Sequence, residues 1–291
     1  MNNIQNDIYK IDNLYNLIIW AKKISKNNNI KSPGFNNLFE EIKFLIFYIL
    51  DVPFYYYKYL YNLKIENSKK EILINIIKKR IYNKKPIFYL INRSIYYELL
   101  FFIDKNTIIP RSPIGGIIKN KYIKKIIKNP KLILDLCTGS GCLAILLAFI
   151  YKKSKIDASD ISQKSLLISK KNIIYYKMDN RINLIRSNLF NKILNKYDLI
   201  VSNPPYLNYI DIINLPKEYK NEPIKGLYGG KNGLKFIEKI INSSLNYLNK
   251  NGILICEIGN NYKLLKKKYP NLKFNWIKTN KNNKIFFLKK V

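Results

Sequence analysis

Asn203-Pro204-Pro205-Tyr206 brings together residue types that can hold a planar nitrogen, and it follows an apolar run, Tyr197-Asp198-Leu199-Ile200-Val201-Ser202. An amide or amino nitrogen is a poor nucleophile because its lone pair is delocalised into the neighbouring π-system. An Asn side-chain oxygen and a proline carbonyl can accept its two N–H bonds, orienting it and stabilising the positive charge that develops as it attacks. Pro204 and Pro205 stiffen the backbone and bring no competing N–H donor. Tyr206 offers an aromatic face for a flat group. Alone, the same tetrapeptide also reads as a Pro-Pro turn closing a strand.

A second motif lies about sixty residues upstream. Lys131-Leu132-Ile133-Leu134-Asp135 reads as a buried strand, followed by Leu136-Cys137-Thr138-Gly139-Ser140-Gly141-Cys142 and an apolar helix through Leu147. A glycine-rich turn between strand and helix allows close backbone approach to a ligand and presents helix N-terminal amides. Ala144 occupies the third position of a dinucleotide fingerprint, so the loop by itself also admits NAD. A second strand, Lys155-Ile156-Asp157-Ala158-Ser159, ends in Asp160, an acid placed for ribose hydroxyls in either cofactor. Hydride transfer has no use for Asn-Pro-Pro-Tyr. Glycine loop, ribose acid and tetrapeptide together therefore predict an S-adenosylmethionine-dependent methyltransferase acting on an amino or amide nitrogen.

The elements that must position these residues follow from periodicity. Residues 1–95 read as an N-terminal helical domain for substrate or partner, with Ile8, Ile11, Leu14, Leu17 and Ile18 at helical spacing, then Leu73, Ile74, Ile76 and Ile77. Ser32-Pro33-Gly34 breaks one helix from the next. A linking β-hairpin is expected over 96–111, from the aromatic pattern of Tyr96, Tyr97, Leu99, Phe101 and Ile103, with Asp104-Lys105-Asn106 as its turn. Over 112–291 strands and helices alternate as in an open, mostly parallel α/β sheet. Further strands are predicted at Arg181–Arg186, Asp198–Ser202 and Gly252–Glu257, a helix at Gly233–Leu248, and a closing hairpin from Phe274–Ile277 and Lys284–Leu288. Ligands of such sheets sit at the carboxyl ends of the strands. The glycine loop, Asp160, Asn188 and Asn203 all fall there and are expected to share one crevice.

Composition bounds the chemistry. The chain has 291 residues, 47% hydrophobic, with no histidine, which removes histidine acid–base catalysis and most zinc sites. Cys137, Cys142 and Cys256 have no metal-ligand spacing and read as reduced, buried fillers of a cytoplasmic protein, with no metal expected. The first residues lack a charged n-region with an apolar core, and the most apolar stretch, Phe44 to Tyr57, is interrupted by Asp51 and Pro53. No membrane association is expected. The net charge of +33 suits an RNA-rich partner. The excess is nearly all lysine, however, and Lys, Asn, Ile, Tyr and Phe share AT-rich codons, so codon drift also produces it.

These motifs resemble the protein-glutamine N5-methyltransferases, a family with a Rossmann-like class I methyltransferase domain and a mostly parallel seven-stranded sheet. The resemblance runs from about Ile109 to Leu288. Within the family, the branch that modifies a large-subunit ribosomal protein is favoured over the branch that methylates the Gly-Gly-Gln motif of release factors. The segments favouring it are Ile109-Pro110-Arg111-Ser112-Pro113-Ile114-Gly115, Asp135 to Cys142, Leu215-Pro216-Lys217-Glu218-Tyr219, Asn221-Glu222-Pro223, Gly226-Leu227 and Ile255 to Asn260.

The resemblance implies methylation of a glutamine side chain in the third large-subunit ribosomal protein, free or within assembling particles with RNA. It implies that Asn203 and the Pro204 carbonyl bind the target NH2, with Pro205 and Tyr206 beside it. Asp135, Cys137, Thr138, Gly139 and Gly141 would serve the methionine end of S-adenosylmethionine, Asp160 its ribose and Asn188 its adenine, with Asn203 also at the cofactor. Arg111, with Pro110, serves substrate or cofactor, or Arg111 forms a structural salt bridge; Glu222 orders the loop over the substrate or merely anchors it. Asn188 stands where the family usually has Asp, Asn221 where it has His, Gly116 where it has an acid, and Asn280-Lys281-Asn282-Asn283 where it has glycines. The competing readings are a release-factor glutamine methyltransferase, an adenine-N6 or cytosine-N4 nucleic-acid methyltransferase, and a non-catalytic basic ribosome-assembly factor.

Overall fold

The computed structural model describes residues 2–53, 56–278 and 284–290. Asn280-Lys281-Asn282-Asn283 lie outside these. The chain divides into two compact units, one of Met1–Asn92 with Pro216–Asn221, the other of Arg93–Leu215 with Glu222–Val291.

The first unit is helical: α1 (Asn2–Tyr9), α2 (Leu14–Lys26), α3 (Leu38–Leu50), α4 (Asn67–Tyr82) and α5 (Ile87–Ile91). Asn13 and Asn37 start α2 and α3, their side chains accepting from the amides of Asn16 and Glu40. The apolar series that reads as one helix is two, α1 and α2, yet Ile8, Ile11, Leu14 and Leu17 enter the same core as Leu73, Ile74 and Ile77. Ser32-Pro33-Gly34 falls in the loop between α2 and α3. A buried ion pair crosses this core. Glu41 Oε1 accepts from Arg80 Nε at 2.8 Å and from the Ile87 amide at 3.0 Å, while Oε2 accepts from Arg80 Nη2 at 2.7 Å.

The second unit opens with a hairpin, β1 (Arg93–Tyr96) and β2 (Leu99–Phe102), paired antiparallel. Its turn is Tyr97-Glu98, both at positive φ (48° and 69°), rather than Asp104-Lys105-Asn106. The Asp104 side chain instead builds a separate turn after β2, accepting from the Asn106 amide at 2.8 Å. A two-residue hairpin turn with positive φ at both centres is usually announced by Asn-Gly, so Tyr-Glu gives no signal.

Two short helices follow, α6 (Ile114–Lys119) and α7 (Ile123–Ile126). The alternating part comprises β3 (Leu132–Leu136), α8 (Cys142–Ile150), β4 (Lys155–Asp160), α9 (Gln163–Tyr175), β5 (Ile182–Arg186), β6 (Tyr197–Ser202), α10 (Tyr209–Ile213), α11 (Lys235–Tyr247), β7 (Leu248–Gly259), α12 (Tyr262–Lys268), β8 (Asn275–Ile277) and β9 (Lys284–Lys289). Seven strands form one sheet in the order β5-β4-β3-β6-β7-β9-β8. The first five run parallel and β9 pairs antiparallel with both β7 and β8. This is the expected α/β sheet with its closing hairpin.

Strand residues alternate between two cores, as a period of two requires. Ile133, Leu199, Val201, Ile253 and Ile255 pack on one side with Ala144, Ile145 and Ile173 of α8 and α9. Leu134, Leu136, Ile200, Leu254 and Cys256 pack on the other with Ile237, Ile240 and Ile241 of α11. The strand starts are pinned by Asp198, which accepts from the Lys131 amide at 2.6 Å and from Asn249 Nδ2 at 2.8 Å. The strand order reverses between β3 and β6, so a crevice opens at their carboxyl ends.

Candidate functional site

Directly after β3 the chain turns through Cys137 at φ 64° and Gly139 at φ 59° before α8 begins. The turn is tied down from beneath. Asp135 is fully buried, and its Oδ2 accepts from Thr138 Oγ1 at 2.5 Å and from the Ala144 amide at 3.0 Å. Its Oδ1 has no hydrogen-bond partner. Burial pushes the Asp135 carboxyl up from 3.8 to about 7, against the lowering effect of those two bonds. The two loop glycines serve different ends. A Cβ on Gly141 would press on Ser169 of α9 at 3.3 Å, whereas one on Gly139 would meet nothing within 4 Å. Gly141 is thus needed for packing, and Gly139 keeps a surface open towards the cavity beside it.

Asp160 closes β4 and joins neighbouring loops: its Oδ2 accepts from the Gly139 amide at 3.0 Å and its Oδ1 from the Ser162 amide at 2.9 Å. Burial raises its carboxyl, opposed by these backbone bonds. Its own carbonyl accepts from the Ser187 amide at 3.0 Å, bringing the exposed Asn188 to the same rim. Among the described residues no lysine or arginine forms an ion pair with Asp135 or Asp160. Burial, and then the nearby Asp135, raises the Cys142 thiol to about 12; Cys137 is raised by burial and by Asp160 and Asp135. Both remain thiols at neutral pH.

At the end of β6, Ser202 Oγ donates to the Leu136 carbonyl at 2.8 Å, holding this strand end level with that of β3. The next residue, Asn203, carries a buried side-chain oxygen with no hydrogen-bond partner. Pro204 is buried and Pro205 is partly exposed. The Tyr206 hydroxyl donates to Glu257 Oε1 at 3.0 Å, and a Cβ on Gly259 would lie 2.6 Å from the Tyr206 ring. The chain then returns over this turn. The Leu207 amide donates to the Leu227 carbonyl at 2.9 Å, and the Gly229 amide to the Leu207 carbonyl at 2.7 Å. Glu222, at the head of the returning loop, is held by a fork from Arg111, with Nη1 at 2.5 Å and Nη2 at 2.7 Å.

These segments surround a cavity of about 720 Å³. Cys137, Gly139, Asp160, Asn188, Asn203 and Pro205 line it. Asp135, Thr138, Gly141, Pro204, Tyr206, Arg111 and Glu222 do not. Asp135, Thr138 and Gly141 shape the glycine turn, and the Arg111–Glu222 fork holds the loop whose next residues, Pro223 to Gly226, form part of the wall. Sequence reasoning missed Asn106, Thr107 and Ile108 on one side and Tyr228 and Phe236 on the other. Asp104-Lys105-Asn106 was legible as a turn, and its place at the cavity depends on Ser165 Oγ of α9 donating to the Asn106 carbonyl at 2.9 Å. No local signal marks Tyr228 or Phe236.

Residues 121–214 match the Methyltransferase small domain family. Among solved structures, the fold resembles the hMettl16 catalytic domain in complex with a 3′UTR hairpin. That likeness has a TM-score of 0.54 at 14% identity, covering 84% of this chain and 90% of that one. A second hMettl16 complex gives 0.52 at 15% identity, covering 76% and 81%. At such identities the likeness concerns the fold alone, a class I methyltransferase sheet. Two curated relatives are similar over most of their length. The ribosomal protein uL3 glutamine methyltransferases of Neisseria meningitidis strains Z2491 and MC58 are each 36% identical over 258 residues, covering 88% of this chain and 85% of theirs. With a methyltransferase sheet, a cavity at its switch point and this extent of identity, the chain belongs to the ribosomal protein uL3 glutamine methyltransferase family.

Proposed function

We propose that this methyltransferase transfers the methyl group of S-adenosylmethionine to the side-chain amide nitrogen of a glutamine in ribosomal protein uL3. The observation that carries the reading is the buried, unpartnered Asn203 oxygen at the edge of the cavity. A buried acceptor without a donor costs free energy unless a ligand completes it, and an amide NH2 is the matching donor. The names of the relatives supply the substrate.

The cavity fits the cofactor in three respects. The open space above Gly139 admits a ligand against bare backbone, Asp160 can accept from ribose hydroxyls, and Asn188 stands at the rim with an oxygen for an amino group. Asp135 acts on the cofactor by shaping the loop from below, through Thr138 and the Ala144 amide. When bound, the cofactor supplies an electrophilic methyl group on a positively charged sulfur. Asp160, which lines the cavity and forms no ion pair among the described residues, suits that charge.

Asn203 Oδ1 and the Pro204 carbonyl then accept the two N–H bonds of the target amide and turn its lone pair towards the methyl group. The same acceptors stabilise the positive charge that builds on nitrogen. The methyl group's bond to sulfur breaks as its bond to nitrogen forms, and the sulfur leaves as a neutral thioether. The amide proton, made acidic by the charge on nitrogen, passes to water, so no side-chain base need act beforehand. Positioning carries most of the rate.

The test is mass spectrometry of purified uL3 after incubation with the enzyme and S-adenosylmethionine, with a Gly-Gly-Gln release factor in parallel. One added methyl on a uL3 glutamine is the expected result. Methylation of the release factor alone would move the substrate to the sister branch. Methylation of neither, with transfer to a nucleic acid, would replace the protein substrate altogether.

A further inference from the structure

We propose that Glu257 is a positioning residue for methyl transfer, acting on Asn203 through Tyr206. Glu257 sits at the carboxyl end of β7, 1% exposed, and the register of β7 with β6 pairs Ser202 with Cys256. It is therefore next to the strand partner of the residue preceding Asn203. One carboxylate oxygen accepts from the Tyr206 hydroxyl at 3.0 Å and the other from Ser112 Oγ at 2.5 Å. Ser112 is itself fixed, since its carbonyl accepts from the Tyr96 hydroxyl at 2.6 Å and its Oγ from the Ile114 amide at 3.2 Å.

The far end of the tetrapeptide is thus held at three points. Its hydroxyl is held by Glu257, its carbonyl accepts from Asn261 Nδ2 at 2.8 Å, and its ring packs on Gly259, whose φ of 57° and missing Cβ make room for it. Between Tyr206 and Asn203 lie only Pro204 and Pro205, whose rings fix φ and leave little freedom. A displacement of Tyr206 is therefore passed on to Asn203. A core needing only a buried acceptor would be served by one hydroxyl partner. Glu257 instead joins the segment of Ser112 and the segment of Tyr206, 94 residues apart in the sequence. Both oxygens of one carboxyl group are tied to different segments, and that double attachment makes the clamp stiff.

The inference rests on the glutamine-methylation reading, and the wild-type enzyme acting on uL3 is the control that separates the two. If wild type fails to methylate uL3, the proposed function falls; if it succeeds, the variants judge Glu257. E257Q, Y206F and the double variant are compared for kcat, for KM towards uL3, and for cofactor affinity by calorimetry. E257Q keeps the shape but loses one of two acceptor oxygens. We expect kcat to fall about 10-fold, the effect of weakening one buried hydrogen bond, with cofactor affinity within about twofold. The double variant should be no slower than the slower single one, because both changes cut the same link. Multiplicative losses in the double variant, an unchanged kcat in E257Q, or a parallel loss of cofactor affinity would each overturn the proposal. Should E257Q fail to fold, S112A leaves Glu257 in place and removes its bond to the Ser112 hydroxyl. A smaller fall in kcat with unchanged cofactor affinity is then expected, and none at all would overturn it.

Discussion

Glu41 in the helical unit and Asp135 in the sheet unit are both buried carboxylates, and the chain treats them oppositely. Glu41 has both oxygens engaged, by two nitrogens of Arg80 and the Ile87 amide. Asp135 has one oxygen engaged, by Thr138 and Ala144, and the other left without a partner. A carboxylate completed within the fold is a device for holding helices in register. Asp135 is left half complete beneath the glycine turn, and the Asn203 oxygen at the end of the neighbouring strand also has no partner. The difference is one of the carboxylate oxygens alone, since Arg80 itself keeps Nη1 without a partner.

The comparison can be broken most heavily on its closed side. Arg80→Met leaves Glu41 buried without its cation and should cost about 3–5 kcal/mol of stability. Adding Glu41→Leu should restore most of that loss. Urea denaturation of the three variants checks it, and a double variant as unstable as the single would mean that the ion pair is not a self-contained unit.

On the open side the largest effect is expected at Asn203. Asn203→Ala should lower kcat about 100- to 1000-fold, as for loss of one preorganised polar group at a reacting centre. Cofactor affinity should stay within a few-fold. Retained transfer in this variant would remove the role assigned to the unpartnered oxygen.

Asp160→Ala should do the reverse, weakening cofactor binding about 10- to 100-fold, because it removes a ribose acceptor and frees the Gly139 and Ser162 amides. Calorimetric titration of the folded variant reads this directly. Equal affinity for variant and wild type would show that the loops hold without it.

The smallest effect concerns pH. The Asp135 carboxyl is raised in the folded chain from 3.8 to about 7, so ionising it works against folding. Its contribution to stability is full below the lower value, declines as pH rises between the two, and is lost above the upper one. Asp135→Asn, which does not ionise, should gain in melting temperature relative to wild type between pH 5 and pH 8. A constant difference between the two pH values would show that burial does not act on this group as argued.

The site was legible in the sequence to the extent that it is built of local turns. Of the cavity wall, Cys137, Gly139, Asn188, Asn203 and Pro205 follow strands, and Asp160 closes one, whose apolar patterns mark their ends, and parallel order brings such ends together. The hairpin turn was not legible, because Tyr97 and Glu98 adopt positive φ without the residues that usually announce it.

By itself the sequence determined the alternation of strands and helices, the two ligand-bearing motifs, and hence the class of reaction, because hydrophobic period and turn chemistry act over a few residues. Tertiary structure alone decided which polar groups are completed and which stay open. Arg111 is engaged by Glu222, Tyr206 by Glu257, and Glu257 by Ser112, while Asn203 keeps its oxygen unpartnered. Those pairings join residues 51 to 145 apart in the sequence. No local pattern encodes them, since a side chain's partner is set by the packing of whole strands and loops around it.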